Sequence, residues 1–177
     1  MSKHYGDYQL RIYQAGLKGE RPRLPMRMVD LEEAAKAVLP PESYWYVAGG
    51  AGEITMRANR EAFDRYPILP RMLGDVSSRD LSIELLGHRY ATPLLLAPIG
   101  VQSIICEEAE LAVARAAAAH QVPLILSTVS AHSMESVAET MGEAPRWFQL
   151  YWPKSDALAA SFVRRAEAAG VQLITVH

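Results

Sequence analysis

From Pro93 to the last residue, short apolar runs alternate with longer stretches whose apolar positions recur at helical spacing. The runs Leu94–Ala97, Pro123–Leu126, Trp147–Tyr151 and Leu173–Val176 predict strands. The stretches Glu107–His120, Ser133–Met141 and Asp156–Gly170 predict the helices between them. Strand and helix alternate at roughly 25-residue spacing, the signature of parallel strands joined by crossover helices. Runs apolar on both faces suit strands buried on both sides. On pattern alone, a doubly wound sheet and half of a (β/α)8 barrel look the same. No Gly-x-Gly-x-x-Gly follows any of these strands, which weakens the dinucleotide-binding version.

Upstream the pattern is different. Residues 1–30 are polar and carry Gly16, Gly19, Pro22 and Pro25, which predicts an extended arm lying on a larger body. Asp30 with Glu33 has capping-box spacing and predicts a helix over Leu31–Leu39, stopped by Pro40 and Pro41. A second helix is expected from Glu42 to Gly49, and a third over Glu53–Arg65, ahead of Pro67. Leu81–Leu86 and His88–Tyr90 flank Gly87 as a β-hairpin would. The expected organisation is an arm over 1–30 and one incomplete domain over 31–177. Helices and hairpin fill 31–92, and four strands fill 93–177.

Composition narrows the function classes. Half of the 177 residues are hydrophobic, enough for a real core. Eighteen basic against twenty acidic side chains leave a net charge of −2, so there is no electrostatic case for nucleic acid or a membrane surface. The polar start of the chain does not read as a secretory signal, and Pro93–Gln102 is far too short to span a bilayer. A single cysteine, Cys106, forms no internal disulfide and suits the reducing cytoplasm. Without a neighbouring His or second Cys it reads as an incidental thiol. His88, His120 and His132 have no acidic residue at metal-ligand spacing and read as structural or solvated.

Polar residues gather just past the strand ends: Gln102 and Ser103, Ser127 and Thr128, Gln149 and Tyr151. In a parallel α/β protein that rim is where ligands bind. Ala97-Pro98-Ile99-Gly100 is either a strand-ending turn or a stretch of bare backbone that admits a flat ligand. Ser127 and Thr128 are weak signals alone. Trp147-Phe-Gln-Leu-Tyr151 says more, because Trp147, Gln149 and Tyr151 alternate onto one face of a strand. A glutamine inside an apolar strand is costly unless it finds partners, and a ligand supplies them better than a neighbouring side chain does here. Tyr46-Val-Ala-Gly-Gly-Ala-Gly52 by itself is an ordinary glycine helix stop.

Taken in order, these pieces resemble the FMN-dependent α-hydroxy acid oxidases and dehydrogenases, in particular the branch of the lactate 2-monooxygenases. The resemblance rests on Gly6-Asp-Tyr-Gln9, Pro40-Pro41, the Tyr46–Gly52 segment, Pro70-Arg-Met-Leu73 and Arg79-Asp-Leu-Ser82. It continues through Ala97-Pro-Ile-Gly-Val-Gln102, Leu126-Ser-Thr128 and Gln149-Leu-Tyr-Trp-Pro-Lys154. It implies the amino-terminal half of a (β/α)8 barrel, with FMN at the carboxy-terminal mouth. It implies backbone at Pro98, Ile99 and Gly100 against the flavin ring, and Ser127, Gln149 and Thr175 on the flavin's polar edge. Tyr46 would bind the substrate carboxylate and Tyr151 would approach the α-oxygen of a small 2-hydroxy acid, with oxygen as the second substrate.

The chain also departs from the pattern. The catalytic His, a Lys and the Arg residues that the resemblance implies lie beyond residue 177, so no catalytic residue is expected within this chain. His177 stands where the family has an Asp that partners the base, and one residue is missing between Gly52 and Asn59. A final strand without a following turn reads as cut. The expectation is therefore a truncated flavoenzyme, inactive alone and a homo-oligomer if completed, or one completed by a separate carboxy-terminal polypeptide. The alternatives are a non-catalytic half-barrel used in assembly, or an oxidase or dehydrogenase that releases the 2-keto acid.

Overall fold

The computed structural model describes residues 7–50 and 52–177, in two compact units, 1–65 and 66–177. The first unit is helical: α1 (Asp7–Gly16), α2 (Met28–Val38), α3 (Pro41–Ala48) and α4 (Ile54–Arg65). The extended arm is thus corrected over Asp7–Gly16, which is helix. The breakers Gly16, Gly19, Pro22 and Pro25 sit at or beyond the end of α1, and Asp7 places a negative charge at its positive end. The capping-box reading is corrected as well. Helix α2 begins at Met28, and Asp30 lies inside its first turn. There the carboxylate accepts two hydrogen bonds from Arg27, at 2.7 and 2.6 Å, so it is engaged by a guanidinium and caps no backbone. Helix α3 starts on Pro41 at its first position, where a missing N–H costs nothing. Its Tyr44 is buried and donates to Glu32 of α2 at 3.3 Å, while Lys36 lies over the Tyr44 and Trp45 rings.

The second unit opens with the hairpin β1 (Ile83–Leu85) and β2 (His88–Tyr90). Leu86 and Gly87 form its two-residue turn with φ of +51° and +79°, the conformation that matches the twist of a tight hairpin. Then come α5 (Ala109–His120), β3 (Leu124–Ser127), α6 (Met134–Met141), β4 (Arg146–Leu150), α7 (Asp156–Ala168) and β5 (Leu173–Val176). The strands β3, β4 and β5 are parallel and lie side by side in chain order. Helix α5 packs on α6, and α6 on α7.

One parity of strand residues carries the core. Leu124, Leu126, Phe148 and Leu150 meet Ala114 and Ala117 of α5, Val137 and Met141 of α6, and Ala166 of α7. Small residues on α5 and α7 let the helices sit close to the sheet. The other parity, with Ser127, Gln149 and Thr175, faces away from the helices. Sequential strand order with helices on one face is a partial α/β barrel, because a doubly wound sheet would have helices on both faces.

The expected strand Leu94–Ala97 is not formed as one. Only Leu96 bridges to Leu124, through Leu96 N–H to Pro123 O and Ile125 N–H to Leu96 O. Pro93 and Pro98 bracket it without N–H groups, and among the described residues it has a neighbour on one side only, so its ladder stays short. The helices after β3 and β4 start where Ser133 and Ser155 accept from Ser136 N–H and Leu158 N–H, as serine N-caps do. Arg146 donates to the carbonyls of Ala144 and Ala169 at 3.2 and 2.7 Å and to that of Gly142, stitching the ends of α6 and α7 to the start of β4.

Candidate functional site

The register of the sheet decides where the polar residues go. Ser127 pairs with Gln149 and Gln149 with Thr175, so the three side chains form one row across three parallel strands. At the usual strand spacing the row is about 10 Å long. It lies at the carboxy-terminal ends of the strands, on the face without helices. Beneath it a layer of Ile125, Trp147 and Leu173 shares the same face. The floor is fixed by the hairpin: Trp147 Nε1 donates to the buried Tyr90 hydroxyl at 2.9 Å, and that hydroxyl donates to Gln172 Oε1 at 3.1 Å.

Gln149 is 2 % exposed and its amide is oriented by its neighbours. Its Oε1 accepts from the Ser127 hydroxyl and from Thr128 N–H, both at 3.3 Å. The Thr128 hydroxyl donates to the Gln149 carbonyl and accepts from Tyr151 N–H at 3.0 Å, which ties the two strand ends together. Gln149 Nε2 and the Thr175 hydroxyl are buried and have no protein partner. A buried polar group left unpaired costs about 1–3 kcal/mol, and two such atoms in one row leave a donor and a hydroxyl open to an outside partner.

The wall beside this row is the Pro98–Gly100 segment. A Cβ at Gly100 would stand 2.3 Å from Val129 Cγ2 and 3.4 Å from Ser127 Oγ. Val101 N–H bonds Val129 O at 3.0 Å, and Val129 N–H bonds Ser127 Oγ at 3.2 Å. Glycine is therefore required by the loop after β3, a reason the sequence alone did not offer. Val101 itself is held at φ +53°, a strained conformation for a β-branched residue. Ile99 is exposed, and Pro98 is partly so.

Tyr151 lies just past β4, half-exposed, with its ring edge-on to His177 at 6.4 Å. Tyr46 belongs to the first unit, on α3, where its ring is exposed. Thus the fold gathers Gly100, Ser127 and Gln149 by direct contact and Thr175 by register.

The sequence reading missed Glu110. It is 1 % exposed, in the first turn of α5, and its carboxylate receives Ala131 N–H and His132 Nδ1, both at 3.1 Å. Burial pushes its carboxyl up, but hydrogen bonds from its own backbone, from His132 and from Ala131 outweigh that and hold it below the usual carboxylate range. Its spacing of 22 residues from His132 gave no local signal. Among the described residues no group of three His, Cys, Asp or Glu could hold a metal ion, and no helix is long and apolar enough to cross a membrane.

Residues 35–177 match the FMN-dependent dehydrogenase family. The chain belongs to that family. It is 46 % identical over 153 residues to an L-lactate oxidase of Lysinibacillus sphaericus, covering 86 % of this chain and 40 % of the relative. It is 43 % identical over 148 residues to a 4-hydroxymandelate oxidase of Amycolatopsis orientalis, covering 83 % of this chain and 41 % of the relative. A crystal structure of mandelate oxidase superposes with a TM-score of 0.77 at 41 % identity, over 84 % of this chain and 43 % of that one. The chain thus spans less than half the length of the relatives it matches.

The FMN-dependent dehydrogenase family sets the cofactor as FMN. The residues present fit it. A flavin is a flat apolar ring with a hydrogen-bonding edge. Here a glycine-lined wall stands beside a row that ends in an unpaired amide N–H and an unpaired hydroxyl. The family is one of oxidoreductases, and relatives of this chain are named as 2-hydroxy acid oxidases and dehydrogenases.

Proposed function

We propose that this chain is the flavin-facing, amino-terminal half of an FMN-dependent enzyme that oxidises L-lactate or a related small 2-hydroxy acid with oxygen. In this reading the partial barrel is completed to eight strands by a carboxy-terminal half, within a longer chain or as a second polypeptide. The row Ser127–Gln149–Thr175, with its two unpaired buried atoms, is the observation that carries the proposal. FMN, when bound, would supply the two-electron acceptor for oxidation of the substrate, with oxygen as the final acceptor. The chain's own residues bind and orient. Gln149 Nε2 and the Thr175 hydroxyl would hold the polar edge of the flavin as donors, because Gln149 Oε1 is already engaged and both atoms lack a protein partner. Backbone at Pro98, Ile99 and Gly100 lines the ring. The exposed Tyr151 hydroxyl would meet the substrate α-oxygen and hold charge as it changes there. Tyr46 would hold the substrate carboxylate alike before and during reaction.

The base that removes the substrate proton is assigned outside residues 1–177, so the chain alone is proposed to be inactive. The finer reading, that pyruvate stays bound and is oxidised by the hydrogen peroxide formed from oxygen to acetate, carbon dioxide and water as in lactate 2-monooxygenases, rests on the resemblance of the ordered motifs from Gly6 to Lys154. The test is reconstitution. The chain is combined with the carboxy-terminal half of the Lysinibacillus sphaericus relative and assayed for lactate-dependent oxygen uptake and for product. Uptake with acetate formation supports the full reading, uptake with pyruvate and peroxide points to an oxidase, and flavin binding without turnover of any 2-hydroxy acid sinks it.

A further inference from the structure

The loop between β3 and α6 touches the proposed flavin wall, yet it is held from behind by a residue outside the site. Val129 of this loop meets Gly100 and accepts from Val101 N–H. Two residues on, Ala131 N–H and His132 Nδ1 both reach the carboxylate of Glu110. Ser130 closes the span between them by donating its hydroxyl to His132 O at 2.6 Å. Glu110 is 1 % exposed, while Val129 and Ala131 of the loop are exposed. A buried carboxylate is retained where its hydrogen bonds compensate for lost solvation. The residue before it, Ala109, is also buried and is kept at φ +40°, the left-handed region that side chains avoid. Strain at Ala109 and at Val101, at either end of one chain of contacts, marks a segment that packing holds in a fixed position.

We propose that Glu110 is a positioning residue for the flavin site. Its carboxylate pins Ala131 and His132, and the loop so fixed sets Val129 against Gly100 and keeps the Ser127 hydroxyl on Gln149. It touches no reacting atom. The proposal rests on the reading that the Ser127–Gln149–Thr175 row holds FMN, and it adds that the shape of the wall is set about one loop away, at the start of α5.

The test reads loop and flavin separately. Amide hydrogen exchange is followed at Val101, Val129 and Ala131 in the 177-residue chain, and FMN affinity is measured by flavin fluorescence quenching after the carboxy-terminal half is added. Glu110→Ala is expected to speed exchange at those three amides at least 10-fold while amides within β4 and α7 keep their rates. It is expected to weaken FMN binding at least 10-fold and to shift the bound flavin absorbance toward that of free FMN. Glu110→Gln keeps one acceptor for Ala131 N–H and a donor for neutral His132, so it should stay within about 3-fold of the parent in both readouts. Should Glu110→Ala fail to fold, His132→Ala removes one of the two contacts and should give an intermediate effect at the same amides. Unchanged exchange at Val101 and Val129 overturns the proposal. Faster exchange with unchanged FMN affinity overturns the link from loop to flavin. A parent protein with protected loop amides that never binds FMN overturns the flavin reading instead.

Discussion

Thr175 is the residue where stability and function separate most cleanly. Its buried hydroxyl has no protein partner, so Thr175→Val removes an unsatisfied group without changing shape. The flavin-free chain should gain about 1 kcal/mol, read as a raised urea midpoint at unchanged slope. FMN binding by the reconstituted protein should weaken about 5–10-fold, the value of one hydrogen bond. A variant that loses stability and keeps FMN affinity would show that the hydroxyl has a structural partner. Gly100 gives a second residue-scale test. Gly100→Ala drives a methyl against Val129 Cγ2 and should destabilise by about 1–3 kcal/mol, as overpacking does. If Val129 alone demands the glycine, Gly100→Ala combined with Val129→Ala should recover most of that loss in denaturant unfolding. Failure to recover would assign the remaining demand to the backbone at Gly100.

Among the elements, α6 and α7 are joined by Glu135 and Arg165, which form two hydrogen bonds at 2.7 and 2.8 Å. The Arg165 guanidinium pulls the Glu135 carboxyl down to about 2. A carboxylate with a lowered folded pKa stabilises the fold above its unfolded pKa of about 4.3 and loses that contribution as pH falls toward 2. Both side chains are about half-exposed, so solvent screening keeps the contribution below about 1 kcal/mol. The stability difference between the parent and Glu135→Gln should be constant above about pH 5.5, decline as pH falls through about 2, and be lost only below that. A difference independent of pH would mean that packing, and no ion pair, is what Glu135 supplies. Arg146 makes a similar link from inside, through three carbonyls at the helix ends. Lysine reaches too few of them, so Arg146→Lys should cost about 1–3 kcal/mol in urea unfolding.

For the whole molecule, the open sheet is the controlling feature. β5 has a neighbour on one side only among the described residues, and so does the bridge at Leu96. Free edges of parallel strands invite further pairing. Leu94 and Val176, one on each edge, are more than half exposed. The isolated chain should therefore self-associate in light scattering, and it should turn monodisperse as it gains flavin when the carboxy-terminal half is supplied. A monodisperse monomer with a sharp near-UV spectrum in its absence would show that these edges need no cover.

The alternation of apolar runs and helical stretches was enough to determine the α/β class, the three later strands, the hairpin and the helices between them, because burial on both faces writes itself into local composition. The motifs in order were enough to determine the family and FMN. Gln149 stood out as a polar residue in an apolar strand, since its cost is local. Other features became visible only in three dimensions. The short pairing at Leu96 depends on how many neighbours a strand has. The one-sided placement of the helices, which separates a barrel from a doubly wound sheet, is a property of the assembled layers. The row of Ser127, Gln149 and Thr175 needs the register of three strands. The demand for glycine at Gly100 and the grip of Glu110 on Ala131 and His132 join residues more than 20 positions apart. Sequence pattern carries what each segment must bury, and only tertiary structure decides which buried polar groups meet.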